Sequence, residues 1–359
     1  MKKLFISAIS FFLTCSNVLV IAQSGRVGNY SESVSKSKDR SERSETTSDN
    51  KQDEEETIKV ETDLVTIPVR VTSRELKPLT DLKQSEFKIF ENGQEQKISY
   101  FSSVDQPFTV ALLLDMSYST VFKLNEIQAA ALLFVSQLRA DDKVTVISFD
   151  EKPRVLCQPT NNRKVLKLAI EGAKIGSGTS LYDALDLTIN KQLAAVTGRK
   201  AVVLLSDGVD TYSGKSSAKE IVVLIKEEDL LFYPLRYDTY DDVRKSRRDN
   251  AEIRYDDDDR PYVYERPPAK GEREIDYSEA KEFLETIAEK SGGRTFRVSS
   301  ATNLTAAFAG IAEELRKTYS LGYYPTEERR PGAEYTLKVR IYRPNLIIRT
   351  RDGYFVKPN

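Results

Sequence analysis

The sequence predicts an α/β fold: a mostly parallel central sheet with helices on both faces, inserted in a small antiparallel β module formed by the N- and C-terminal strands. Three observations predict it. Between about residues 108 and 318, continuous apolar runs alternate with amphipathic stretches, the pattern of strands buried on both faces and separated by covering helices. On either side of that block apolar residues recur at every second position, as in strands with one buried face. The head and the tyrosine-rich tail share that texture, so they are expected to pack together. That would bring entry and exit of the inserted block close, as tolerated insertions require.

The elements follow in order. Residues 1–22 read as a secretory signal: Lys2 and Lys3 precede an apolar stretch, and Val20 and Ala22 stand before a cut at Ala22/Gln23. Thr14, Ser16 and Asn17 interrupt the stretch, which is short for a membrane span. Residues 23–56, rich in Ser, Lys, Asp and Glu, cannot bury enough surface to offset their ordering entropy and read as a disordered linker. In the β module over 57–104, Val65, Ile67, Val69 and Val71 alternate, and Glu91-Asn92-Gly93 marks a hairpin between Phe87, Ile89 and Ile98, Tyr100.

The α/β block over 107–318 opens on strand "TVALLLD" and a helix over 123–139 carrying Ile127, Ala130, Ala131, Leu133 and Phe134. Strand "KVTVISFD", a short strand near Val155 and a helix over 164–172 follow. The helix at "SLYDALDLTINKQL" leads to strand "KAVVLLSD", helix "SAKEIVVLIKEE" and strand "LLFYPLRYD". An acidic insertion over 239–276 contains "YDDDDRP"; its unspaced acids lack the glycine turn and alternating ligands of a calcium loop, so it reads as a solvated mobile loop. Helix "SEAKEFLETIAEKSGG", strand "RTFRV" and helix "NLTAAFAGIAEELRKT" close the block. Residues 319–359 return to β alternation.

Composition excludes several functions. The 359 residues carry 54 Lys and Arg against 55 Asp and Glu, a balance without bias toward nucleic acid or an anionic membrane. With no histidine there is no Ser-His-Asp triad, no histidine base and no His-ligated zinc site. Cys15 falls in the leader, leaving Cys157 alone in a mature chain, where it reads as a small strand residue and precludes an intramolecular disulfide. No segment after the leader is long and apolar enough to cross a bilayer. A secreted protein, or one of the periplasm or cell envelope, is expected.

In an open parallel sheet, ligands gather beyond the carboxyl ends of the strands. Three such ends here carry oxygen donors: Asp115, Ser117 and Ser119 after "FTVALLLD", Thr179 in "GSGTS" before a helix, and Asp207 in "LLSDGVDT". Read singly, Ser119 and Thr120, or Thr179 and Ser180, could each be helix caps. Jointly, two carboxylates and three hydroxyls form a hard set suited to Mg²⁺, Mn²⁺ or Ca²⁺ and poor for zinc or copper. Only two formal negative charges would face a divalent ion, which keeps Lewis acidity toward an incoming anion.

These loops resemble the metal-ion-dependent adhesion site of von Willebrand factor A domains. That pattern is D-x-S-x-S, a threonine on a second loop and an aspartate on a third, matched here by Asp115, Ser117, Ser119, Thr179 and Asp207. The resemblance spans about 108–318. The flanks "FENGQEQKISYF" and "YSLGYYP" look like those of secreted bacterial relatives described chiefly from acidobacteria. It implies that Ser117, Ser119 and Thr179 contact the ion directly, that Asp115 and Asp207 act directly or through water, and that a protein partner's Asp or Glu fills the open position. Tyr118 stands where the family commonly has glycine, and should point to solvent at the ligand rim. Asp183 reads either as a residue behind the ligands or as helix N-terminal charge; Asp210 reads as a loop carboxylate.

The implied function is a non-enzymatic, exported protein-binding module working in adhesion or envelope assembly. One alternative is a scaffold whose β module makes the contacts while metal only stabilises the α/β block. Another is a metal-dependent hydrolase with Asp115 as nucleophile. Against it, Ser117 stands where such phosphatases carry a second aspartate, and the chain has no P-loop or G-x-G-x-x-G signature.

Overall fold

The computed structural model describes residues 64–75, 77–102, 106–118, 120 and 124–357. The signal peptide over 1–22, the linker over 23–56 and Ser119 lie outside the described residues. Alternation in the head of the chain becomes β1 (Val65–Ser73), β2 (Phe87–Glu91), β3 (Gln94–Gln96) and β4 (Ile98–Ser102). The α/β block then runs β5 (Phe108–Asp115), α1 (Leu124–Gln137), β6 (Lys143–Phe149), β7 (Pro153–Thr160), α2 (Arg163–Glu171) and α3 (Leu181–Leu187). It continues through β8 (Arg199–Ser206), α4 (Ala218–Glu227), β9 (Leu231–Tyr237), α5 (Tyr240–Asp249), β10 (Glu252–Tyr255) and β11 (Pro261–Tyr264). It ends with α6 (Glu274–Ser291), β12 (Phe296–Val298) and α7 (Ala301–Arg316). The tail supplies β13 (Thr318–Tyr323), β14 (Glu334–Ile341), β15 (Leu346–Arg349) and β16 (Gly353–Phe355).

All of β5 is buried, and its side chains divide between two cores. Val110, Leu112 and Leu114 pack with residues of α1, α2 and α7 on one face; Ala111 and Leu113 pack with α3, α4 and α6 on the other. That two-sided burial explains the unbroken apolar run, each large side chain contributing about 1.5–3 kcal/mol. The sheet order is β12-β9-β8-β5-β6-β7, parallel throughout except at the β6–β7 edge. The chain passes from β5 to one neighbour, β6, and later returns to pair its other side with β8. This reversal of strand order at β5 opens a crevice at its carboxyl end.

Head and tail strands pair with each other in two antiparallel sheets, β15-β1-β13-β4 and β16-β14-β2-β3. One apolar cluster, including Ile67, Val69, Phe87, Ile89, Leu321 and Val339, joins them. The α/β block leaves after β4 and re-enters at β13, and these two strands are hydrogen-bonded neighbours, with Leu321 opposite Phe101. Beneath the block, Arg70 of β1 and Arg294 both form ion pairs with the buried carboxylate of Glu314 on α7.

The acidic insertion departs from expectation. It is solvent-exposed, as expected, but instead of a loop it forms α5 and a hairpin of β10 with β11. The four aspartates, Asp256 to Asp259, are its turn: the Asp256 carboxylate accepts the amides of Asp258 and Arg260, each at 2.9 Å. Among the described residues, no helix is long and apolar enough to cross a membrane.

Candidate metal centre

Two of the three donor loops stand where a buried strand ends, and the third, with Thr179, joins α2 to α3. Asp115 is the last residue of β5, Asp207 follows β8, and Thr179 precedes α3. The loops are laced to one another by backbone bonds. The Gly176 amide donates to the Met116 carbonyl at 2.8 Å, and the Ser180 amide to that of Asp150 at 2.7 Å. The Thr179 amide donates to Thr211 Oγ1, while the Thr211 amide returns a bond to the Thr179 carbonyl, both at 2.9 Å. Gly178 permits this closeness: its φ is +67°, and a Cβ there would run into the Tyr212 ring.

The cap alternative for the second loop does not describe the structure. Ser180 is at the N-cap of α3 but makes no side-chain cap bond. Asp210, from the third loop, accepts the Leu181 amide at 2.9 Å and serves that end instead. Asp183 accepts the amides of Gly214, Lys215 and Ser216, so its charge orders the loop before α4. In the first loop, the Thr120 hydroxyl donates to the carbonyls of Ser117 (2.7 Å) and Asp115 (3.3 Å), clasping the turn.

Ser117, Thr179 and Asp207 line one cavity of about 480 Å³, and Tyr118, 66% exposed, stands in its wall. Asp115 is fully buried. Its Oδ1 accepts the Ser117 amide at 3.0 Å and its Oδ2 the Ser206 hydroxyl at 2.6 Å. Asp207 is held the same way, accepting the Val209 amide at 3.0 Å and the Thr239 hydroxyl at 2.6 Å; Thr239 is in turn bonded to the Tyr277 hydroxyl at 3.0 Å. Ser206, Thr239 and Tyr277 had no distinguishing signal in the sequence, although Ser206 abuts Asp207.

Burial, and secondarily the charge of Asp207, push the Asp115 carboxyl up to about 7. Burial also raises the Tyr237 phenol well above its usual range, with Asp115 and then Asp207 adding to the effect. Two buried carboxylates are therefore oriented by neutral amides and hydroxyls while their negative charges oppose each other. Among the described residues no three Asp, Glu or Cys side chains gather into a metal cluster; Asp207 meets Ser117 and Thr179 at the cavity, and Asp115 lies buried near enough for its charge and that of Asp207 to interact. Such oxygens fit a hard divalent cation, whose charge would relieve the repulsion.

Residues 110–209 match the family model for the von Willebrand factor type A domain. An uncharacterised protein of Synechocystis, sll0103, is 26% identical over 135 residues, which is 36% of this chain and 32% of that relative. The chain thus spans about a third of the curated relative it matches. A von Willebrand factor type A structure from Catenulispora acidiphila aligns at TM-score 0.44 and 10% identity, over 82% of this chain and 74% of that one. Proximal thread matrix protein 1 from the mussel byssus, solved with a zinc-occupied MIDAS motif, aligns at TM-score 0.42 and 14% identity, over 64% and 50%. Residues 110–209 are thus similar to a von Willebrand factor type A domain, and the mostly parallel sheet with helices on both faces is the α/β fold of that family.

Proposed function

We propose that this chain is an exported, non-enzymatic module that binds a protein partner through a divalent cation, Mg²⁺ or, in its place, Mn²⁺ or Ca²⁺. Asp115, Ser117, Ser119, Thr179 and Asp207 would hold the ion, which supplies a Lewis-acidic position for a partner's Asp or Glu carboxylate. The supporting observation is the pair of buried carboxylates, Asp115 and Asp207, held by neutral donors, with Asp207 lining an open cavity beside Ser117 and Thr179. Ser206 and Thr239 fix their orientation, so that ion binding requires little rearrangement. The residues at 1–22 support export. The role suits adhesion or assembly at a cell envelope.

Titration with Mn²⁺, followed by electron paramagnetic resonance, tests the reading. The wild-type chain should bind one ion, and Asp115→Ala should lose that site while its circular dichroism is unchanged. Capture of partners from an envelope extract should require Mg²⁺ and fail with Asp115→Ala. Partner capture that survives excess chelator would sink the proposal.

A further inference from the structure

We infer that the segment between β9 and α6 is a specificity wall, which turns the strand-end face into a recess for an acidic residue carried on an extended peptide, with Lys270 as the positioning cation. The inference rests on the metal reading above and names the partner's form. One side of the cavity is made by the strand-end loops; the other is made by α5 and by the loop over 266–272. At about 480 Å³ the space lies within the usual range for ligand pockets, roughly 300–1,000 Å³. A few peptide residues fit such a recess, whereas a flat folded surface would be stopped at the wall.

The wall is built and braced. Arg247 of α5 pairs with Glu265, just beyond β11, at 2.6 Å. Arg266 grips Glu272 through two bonds, 2.7 and 2.6 Å, and Glu272 also accepts the Ala269 amide at 2.9 Å, closing the loop on itself. Gly271, with φ +87°, lies so close to the third strand-end loop that a Cβ there would meet Thr211 Cγ2 at 2.5 Å. Its amide is fixed to Asp276 at 2.9 Å.

Charge favours an anionic guest at one particular place. The charges of Arg247 and Arg266 face Glu265 and Glu272, within the wall itself. Lys270 instead donates to the Thr211 carbonyl at 3.3 Å, and Thr211 Oγ1 accepts the amide of Thr179. A flexible ammonium is thereby held beside a proposed ion ligand, where it can meet the partner's carboxylate. Val209, Val243 and Tyr277 give the recess an apolar side, which suits aliphatic neighbours of that acid.

The test uses Mn²⁺ alone and then a linear, end-blocked pentapeptide with a central glutamate between leucines, alongside its glutamine counterpart. Lys270 is exposed, and Lys270→Met and Lys270→Arg should melt as the wild type does. Mn²⁺ affinity should change by less than about threefold in either variant, because the lysine is not itself a ligand. Peptide binding should require Mn²⁺ and the glutamate, weaken about tenfold or more in Lys270→Met, and return to within about threefold in Lys270→Arg. Equal peptide binding by wild type and Lys270→Met overturns the inference, as does Mn²⁺ binding with no preference for the glutamate peptide. A wild-type chain that fails to bind Mn²⁺ removes the metal reading, and the wall's role with it.

Discussion

Two ends of the same parallel sheet bury carboxylates, and they do so in opposite ways. At the end facing the β module, Glu314 is almost wholly buried and paired with Arg70 and Arg294. At the other end, Asp115 is buried beside Asp207 and held by an amide and a hydroxyl, and its carboxyl is pushed up to about 7, mainly by burial. A permanent arginine partner makes the first site part of the scaffold. The neutral donors around Asp115 orient its charge without cancelling it; under the proposed function a divalent cation would do so. Burial alone therefore does not distinguish the two carboxylates; the nature of their partners does.

The sharpest way to break this contrast is to remove the permanently paired acid. Glu314→Ala would leave Arg70 and Arg294 without their shared carboxylate at the junction of module and block. A loss of about 3–5 kcal/mol is expected from urea unfolding, the usual cost of stripping one partner from a buried pair. A loss below about 1 kcal/mol would show that the pair behaves as a solvated one.

The metal-free protein should respond oppositely at Asp115. Its folded-state value of about 7 lies above the ordinary 3.8, so the folded chain keeps a proton there that the unfolded chain releases. The stability this contributes is fully present below about 3.8 and is lost as the pH rises to 7. Between pH 5.5 and 7, in chelator, the wild type should lose about 2 kcal/mol from this group, each pH unit removing up to about 1.36 kcal/mol. Asp115→Asn should flatten that part of the profile. A wild-type profile that rises over the same window, with the variant tracking it, would refute the assignment.

How far these features were legible depends on what each residue packs against. The central strands could be read because β5 and β8 are buried on both faces and so carry unbroken apolar runs. Two of the donor loops could be read because strand ends punctuate those runs, and the Thr179 loop because "GSGTS" stands just before a helix. The insertion could not: α5 has no buried residue, and β10 and β11 are almost entirely exposed, so neither leaves a hydrophobic period. Arg247–Glu265 and the stacking of Arg254 on Tyr264 brace that region, and such pairings are invisible to periodicity. The cap of α3 was equally hidden, because it comes from Asp210, 29 positions away from Leu181. Likewise Thr239 is one hydroxyl among many until the fold brings it to Asp207.

The smallest expected effect separates pairing from burial at the module junction itself. Lys226 of α4 and Glu334 of β14 join the same two regions as Arg70 and Glu314, at 2.7 Å, but the Glu334 side chain is 55% exposed. Water already solvates that carboxylate, so the pair gains little beyond what its members have when apart, and holding two long side chains together costs entropy. Lys226→Ala should therefore change unfolding stability by less than about 1 kcal/mol, and 0.5 M salt, with a Debye length of roughly 4 Å, should shrink the difference further. If Lys226→Ala instead matched Glu314→Ala, the junction would depend on the number of cross-links and not on their burial. The contrast between the two ends of the sheet would then lose its physical basis.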